Sequence, residues 1–216
     1  RLQRRDGEVL WLSTTVRLEK KIERGVNGGG HEEGDEIRGF SVDVTEAKLV
    51  ERTLRLLARI SEEANRSLDA EEIVHHLAAA CVPDVGDGCC VVLEGAEADA
   101  LPSFSTSTWS TPEQALLAEK LEALPADPTS PYYPTNAPIL VRDVQATLAK
   151  LDDARAAVLR ELGAHSYLAV PLVAGERRLG TLSMWSCMPS RVMDEHAMLL
   201  VAEIGRRTVQ ALENAR

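Results

Sequence analysis

From Tyr167 to Val173 nearly every residue is apolar, whereas from Leu179 to Trp185 apolar residues alternate with small and polar ones. An unbroken apolar run suits a strand covered on both faces, and alternation suits a strand whose two faces meet different surroundings. The alternation puts Gly180, Leu182 and Met184 on one face and Leu179, Thr181, Ser183 and Trp185 on the other. Between the two runs, Ala174-Gly175-Glu176-Arg177 is a polar turn containing glycine. Two central antiparallel strands are therefore expected here, with the other elements placed around them.

The remaining pattern predicts an alternation of helices and short strands. Strands are expected at Val9–Val16 and Ile37–Val42, separated by a glycine- and glutamate-rich segment, Gly25–Asp35, too polar to pack. Gly28-Gly29-Gly30 is not followed by a helix opening on Lys-Ser/Thr, as a phosphate loop requires. Glu46 to Arg66 reads as a helix about 30 Å long, with Asp43-x-x-Glu46 or Thr45 as its cap. Val50, Leu54, Leu57, Ser61, Ala64 and Leu68 recur along it at steps of four and three, the spacing of a two-stranded coiled coil. That stripe suits either a parallel dimer or packing against the chain's own core.

Asp69-x-x-Glu72 restarts a helix over Ala70–Val82, which buries Ile73, Leu77 and Ala80 or Cys81 and stops at Pro83. Strands are predicted next at Cys89–Glu94 and Leu101–Trp109, then a helix at Pro112–Leu124 with proline at its start. The proline-rich Pro125–Pro138 reads as a loop across the sheet, and Ile139–Val141 as a short strand ending at Arg142-Asp143-Val144. Asp153–Leu162 is a helix stopped by Gly163. The last helix, from Asp194 to Ala215, sets Met198, Val201 or Ala202, Gly205, Val209 and Leu212 on one side.

Composition narrows the function classes. A net charge of −10 argues against a nucleic-acid or anionic-membrane surface. No apolar run approaches the roughly 20 residues that cross a bilayer. Cys81, Cys89, Cys90 and Cys187 lack the spacing of a zinc site or a secreted disulfide framework, so reduced thiols in a cytoplasmic protein are expected. Cys89 and Cys90, adjacent on a strand, point to opposite faces. His75 and His76 are helix neighbours about 100° apart and cannot chelate one ion together. His165 opens the central strand and His196 sits in the first turn of the last helix. No catalytic constellation or metal site is found.

Leu162-Gly163-Ala164-His165-Ser166-Tyr167-Leu168-Ala169-Val170-Pro171-Leu172, the turn after it, and Leu179-Gly180-Thr181-Leu182 resemble the GAF family of sensory domains. The proline-led strand of Pro138–Asp143 and the acid-capped helix ending Leu212-Glu213-Asn214-Ala215-Arg216 fit the same family. The likeness spans about residues 60–216. It implies an α+β fold: a PAS-related central antiparallel sheet of five to six strands, terminal helices on one face and loops roofing a ligand cavity on the other. Asp6-Gly7-Glu8-Val9-Leu10-Trp11 and Gly39-Phe40-Ser41-Val42-Asp43-Val44-Thr45 resemble the closing strands of a PAS domain. The implied organisation is an incomplete PAS domain at 1–45, cut from a longer protein, a coiled-coil-like linker helix at 46–66 and a GAF domain at 67–216.

If the cavity exists, its wall is expected from Cys89 or Cys90, Trp109, Tyr132, Tyr133, His165, Tyr167, Thr181, Ser183 and Trp185, a set suited to a flat organic ligand or to a collapsed core. The resemblance implies the input region of a bacterial signalling protein, of the sensor histidine kinase type, with its effector domain outside this chain. A homodimer would form through Val50, Leu54, Leu57, Ala64 and Leu68 of the first long helix and Val201, Val209 and Leu212 of the last. No cofactor is assigned. The cyclic-nucleotide pattern Asn-Lys-Phe-Asp-Glu and the bilin-attaching Cys-His pair of some GAF domains are absent. The alternatives are a chromophore- or haem-bearing sensor of the phytochrome kind and a thiol enzyme such as methionine sulfoxide reductase.

Overall fold

The computed structural model describes residues 2–3, 9–23, 32–64, 66–95, 104–124, 136–149 and 154–215. The chain divides into two compact units, Arg1–Thr53 and Leu54–Arg216. In the first, β1 (Leu2–Gln3) pairs antiparallel with β2 (Val9–Leu10), and β3 (Leu12–Glu23) pairs with β4 (Glu32–Asp43) from Leu12↔Asp43 to Glu23↔Glu32. Both long strands exceed their predicted lengths, and Glu32–Asp35, expected to lie in an unpaired polar segment, belongs to β4. Main-chain pairing needs no apolar side chains, so the ribbon continues where the side-chain pattern has turned polar. At its base the Asp43 carboxylate accepts both the N–H and the hydroxyl of Thr45. The Trp11 N–H donates in turn to Thr45 Oγ1, and the Arg52 guanidinium lies 4.7 Å above the Trp11 ring.

These contacts start α1 (Thr45–Ala64). The Val44 carbonyl accepts its first helical bond, from Lys48 N–H, so Asp43 caps from just outside the helix instead of forming the expected box with Glu46.

In the second unit, α2 (Ala70–Cys81) is capped by Asp69, which accepts from the Glu71 and Glu72 N–H groups. Next come β5 (Gly88–Leu93), β6 (Phe104–Trp109) and α3 (Pro112–Glu122), the last opened by a capping box between Thr111 and Gln114 with proline in the first turn. The chain continues through β7 (Ile139–Val141), α4 (Val144–Leu148), α5 (Ala154–Glu161), β8 (Ser166–Ala174), β9 (Arg177–Ser186) and α6 (Glu195–Asn214). The five strands form one antiparallel sheet in the order β6-β5-β9-β8-β7. Pro171 faces Thr181 and Leu172 faces Gly180, so the expected central pair is present. Gly175 takes φ +62° at the first central position of its two-residue turn, as a type II′ hairpin asks.

Each sheet face is covered. Leu168, Val170 and Leu172 of β8, Leu182 and Met184 of β9, and Cys89, Val91 and Leu93 of β5 meet Ile73, Val74 and Leu77 of α2 and Val201, Ile204 and Leu212 of α6. Leu57, Ile60 and Ala64 from the C-terminal half of α1 join that layer. Each large apolar side chain fully buried there contributes about 1.5–3 kcal/mol relative to exposure. Where α6 crosses β8, a Cβ at Gly205 would stand 3.3 Å from Leu172 Cδ2, so the glycine lets helix and strand close up.

Three expectations change here. Leu57, Ala64, Val201, Val209 and Leu212 of the expected homodimer stripe are buried in the domain's own core, none more than 8% exposed. Val50, Leu54 and Leu68 remain exposed, at 53%, 61% and 77%. Leu179 was expected beside Thr181 and Trp185. The register shifts between Leu172 and Val173, so Leu179 is the extra residue of a bulge and turns into the helix-side core. Finally, α4 occupies a place read as the end of a strand; Asp143 caps it by accepting from Ala146 N–H, and Val144 and Leu148 are buried one turn apart.

A latch ties the terminal helices of this unit together. Arg207 of α6 donates through Nη1 to the Leu57 carbonyl and to Ser61 Oγ of α1, and through Nε to Glu203. The Arg206 and Arg207 hydrogen bonds hold the Glu203 carboxyl down at about 2, from an ordinary 4.5. A depressed carboxyl stabilises the fold fully above its unfolded value and loses that contribution as pH falls through the folded one. Wild type is therefore expected to melt above Glu203→Gln at pH 7, with the gap narrowing below about pH 4.5 and closing near pH 2. Melting curves of both proteins across that range check this, and a gap that stays constant with pH would contradict it.

Candidate functional site

On the sheet face away from α6, strand register arranges the side chains in three lateral rows. The first runs Trp109, Gly88, Trp185, Tyr167 and Val141; the second Ser107, Cys90, Ser183, Ala169 and Ile139; the third Ser105, Val92, Thr181 and Pro171. The aromatic row forms a second core with Leu121 of α3, Val144 and Leu148 of α4, and Ala156 and Leu159 of α5. Tyr167 and Trp185 lie 4.2 Å apart between ring centroids at 42°. Trp109 lies over Gly88, where an added Cβ would fall 2.4 Å from the indole ring.

The second and third rows are mostly small side chains, with hydroxyls at Ser105, Ser107, Thr181 and Ser183. Ser183 donates to the Cys90 carbonyl at 3.3 Å. Thr181 Oγ1 accepts from Arg178 Nη2 at 2.7 Å, Arg178 Nη1 donates to Asn136 Oδ1, and the Glu94 carboxylate stands 3.0 Å from Arg178 Nε. The Trp109 indole N–H is buried without a partner among the described residues. The arrangement is a packed aromatic row, covered by α3, α4 and α5, beside a strip of small side chains with one guanidinium at its edge.

Of the expected wall residues, Trp109, Tyr167, Thr181, Ser183 and Trp185 share this face. Cys89 does not. It is buried on the opposite face, where Cys81 and burial push its thiol up, and Cys90 takes the wall position in β5. Strand alternation separates these neighbours, but which face each one meets depends on the layers outside the sheet. His165 ties the sheet edge through its main chain: its carbonyl accepts from Val144 N–H and its N–H donates to the Ser186 carbonyl. Tyr132 and Tyr133 lie outside the described residues. Arg178 and Asn136 were not singled out in sequence, since a charged residue after a polar turn has no distinguishing signal.

The thiols are poorly placed for nucleophilic work. Burial pushes Cys90 up to about 12, the nearby Glu122 charge adds to this and the Ser183 hydroxyl opposes it. Burial and Asp87 push Cys187 up to about 11. In native protein at pH 8, Cys90 is expected to react with an aromatic disulfide reagent on the order of a hundredfold more slowly than in guanidinium. A native rate matching the unfolded one would contradict these environments. His75 and His76 have ring centroids 6.1 Å apart, and among the described residues no cluster of His, Cys, Asp and Glu is arranged to hold a metal ion. No helix of the described residues is long and apolar enough to cross a membrane.

A five-stranded antiparallel sheet with terminal helices on one face and short helices on the other defines a GAF-like α+β domain. The GAF domain family model matches residues 53–212, and the chain belongs to that family. Among solved structures it is similar to the GAF domain of the cyanobacteriochrome TePixJ, at 17% identity and TM-score 0.51, over 70% of this chain and 94% of that one. It is also similar to a domain of a putative two-component sensor histidine kinase from Sinorhizobium meliloti 1021, at 16% identity and TM-score 0.48, over 68% and 94% of the two chains. Free methionine-R-sulfoxide reductase from Neisseria meningitidis matches at 14% identity and TM-score 0.48, over 76% and 90%. At these identities the likeness is one of fold. No curated protein matches the sequence.

Proposed function

We propose that this chain is the input region of a cytoplasmic bacterial signalling protein of the sensor histidine kinase type, working as a homodimer and driving an effector domain elsewhere in the protein. The observation that carries this reading is the pairing of α1 with α6. The two terminal helices of the GAF unit lie in one layer and are latched by Arg207, Ser61 and Glu203. A ligand on the opposite sheet face, or a signal arriving through α1, would shift that layer and so bias the effector through α6. On that face the Ser107 and Thr181 hydroxyls and the Arg178 guanidinium supply the polar groups, with Tyr167 and Trp185 already packed beneath α3, α4 and α5. In the first unit, the ribbon β3–β4 leaves Phe40 and Val42 exposed, at 65% and 50%. A lone two-stranded ribbon is marginal in water, which supports reading residues 1–45 as part of a PAS domain. The raised thiols of Cys90 and Cys187 favour a regulatory role over a thiol enzyme.

With Leu57, Ala64, Val201, Val209 and Leu212 buried, the expected stripe narrows to Val50, Leu54 and Leu68, of which Leu54 is the α1 residue that belongs to the GAF unit. Sedimentation velocity at about 50 μM tests this. Wild type is expected as a dimer and Leu54→Glu as a monomer with unchanged far-ultraviolet circular dichroism. A monomeric wild type removes the dimer relay. An absorption spectrum of the purified protein separates the chromophore reading, which requires a visible band, from the colourless regulator proposed here.

A further inference from the structure

Between α1 and α6 lies a groove of about 170 Å³ whose floor is Ala64 and Ala211 and whose walls carry Arg206, Arg207, Gln210 and Asn214. Its hydrogen-bonding ledger is unbalanced towards donors. Arg206 commits Nε and Nη2 to Glu203, each at 2.9 Å. Arg207 commits Nε to Glu203 and Nη1 to the Leu57 carbonyl and Ser61. Arg206 Nη1, Arg207 Nη2 and the carboxamides of Gln210 and Asn214 have no partner among the described residues. Spacing explains the convergence: 206, 210 and 214 succeed one another at single helical turns, and 207 stands beside them over Ala211.

Glu203 orients this set and does not compete with it. Its two oxygens already accept from both guanidinium groups, which fixes the forks and, counting these three side chains, sets two guanidinium charges against one carboxylate. That local excess sits in a chain of net charge −10, so an anion would be held there by local contacts and not by the general field of the protein. The groove is smaller than the roughly 300–1,000 Å³ of sites for drug-sized ligands. An oxyanion of a few heavy atoms fits that room and can accept from the one uncommitted Nη of each guanidinium.

We propose that the α1–α6 groove is a binding site for a small carboxylate, held by Arg206 Nη1, Arg207 Nη2 and the carboxamides of Gln210 and Asn214. Occupied, it adds a bridge between the two helices that the Arg207 latch already joins. The site stands on the chemistry of the groove and does not depend on the dimer reading.

Malonate titrated into the ¹⁵N-labelled chain at constant ionic strength, with chloride as the matched control, tests the proposal. The Gln210 and Asn214 side-chain amides and the Arg206 and Arg207 Nε–H signals are expected to shift saturably, with a dissociation constant on the order of 1 mM. Arg206→Gln, at an exposed position outside the core, is expected to weaken binding tenfold or more while leaving circular dichroism unchanged. A tetraglutamate peptide run in parallel identifies the source of the carboxylate. Tighter peptide binding at the same signals means an acidic segment of a protein, and tighter malonate binding means a free anion. Shifts that match chloride, fail to saturate, or survive Arg206→Gln unchanged overturn the site.

Discussion

The Gly180→Ala variant is expected to lose about 4 kcal/mol or more of stability, measured by urea denaturation, and to express mainly as insoluble protein. The added Cβ would fall 1.9 Å from the Val92 carbonyl oxygen and 3.0 Å from Leu93 Cα. Those atoms are main chain of the neighbouring strand and cannot swing aside like a side chain. Strand β5 would have to leave β9, and the Leu93↔Gly180 pairing with it. Gly163→Ala supplies the contrast. Gly163 has open space around its Cβ position but holds φ +69°, closing α5 with bonds from its own N–H to Arg160 and from Ala164 N–H to Leu159. Only backbone strain opposes alanine there, so the expected cost is about 1–2 kcal/mol. Equal losses for the two variants would refute the close approach of β9 to β5.

Asp87→Ala is expected to cost about 3 kcal/mol, for a different reason. Asp87 is a buried carboxylate just ahead of β5. Its Oδ2 accepts from the Cys187 N–H at 2.8 Å and from the Ser186 hydroxyl at 3.3 Å, and Arg191 stands 3.5 Å from Oδ1 while donating to the Pro83 carbonyl. The Asp87 main chain donates to the Trp185 carbonyl and accepts from Ser110 N–H. One residue thus joins the ends of β5 and β9 to the segment that enters α6. Alanine leaves the Cys187 N–H without its acceptor, leaves the Ser186 hydroxyl only the Met188 carbonyl, and removes the charge facing Arg191. Asp87→Asn retains an acceptor oxygen and is expected to lose about half as much. Native-state hydrogen exchange should show the Cys187 amide losing protection in Asp87→Ala. Full protection there would mean that the carboxylate does not hold this corner.

Several features are legible in the residue order. The unbroken run at Tyr167–Val173 and the alternation at Leu182–Trp185 name the central pair, because a strand's two faces are written directly into period-two positions. Asp69, Pro112, Asp194 and Gly163 mark helix ends because capping is local chemistry between a side chain and the nearest main-chain groups. By contrast, α4 spans five residues, too few for a helical period to register. The bulge at Leu179 depends on Gly180 meeting Val92 across the sheet, a partner that nothing adjacent in sequence announces.

The candidate site divides along the same line. Strand parity identifies Trp109, Tyr167, Thr181, Ser183 and Trp185, whereas Cys89 falls on the other side from the one expected, and Cys90, Arg178 and Asn136 take their places only with the fold. The apolar spacing of Leu57, Ala64, Val201, Val209 and Leu212 identifies helix faces that must be covered, but the same spacing serves a partner chain and a domain's own sheet. Residue order alone therefore determined the central hairpin and the ends of the main helices, which rest on interactions within a few positions along the chain, while the GAF architecture entered through the resemblance those residues carry. Tertiary structure decided which layer covers each sheet face, which cysteine meets which face, and that Arg207 and Glu203 join α6 to α1. Those outcomes depend on groups far apart along the chain competing for the same surface, and a one-dimensional pattern carries no record of the winner.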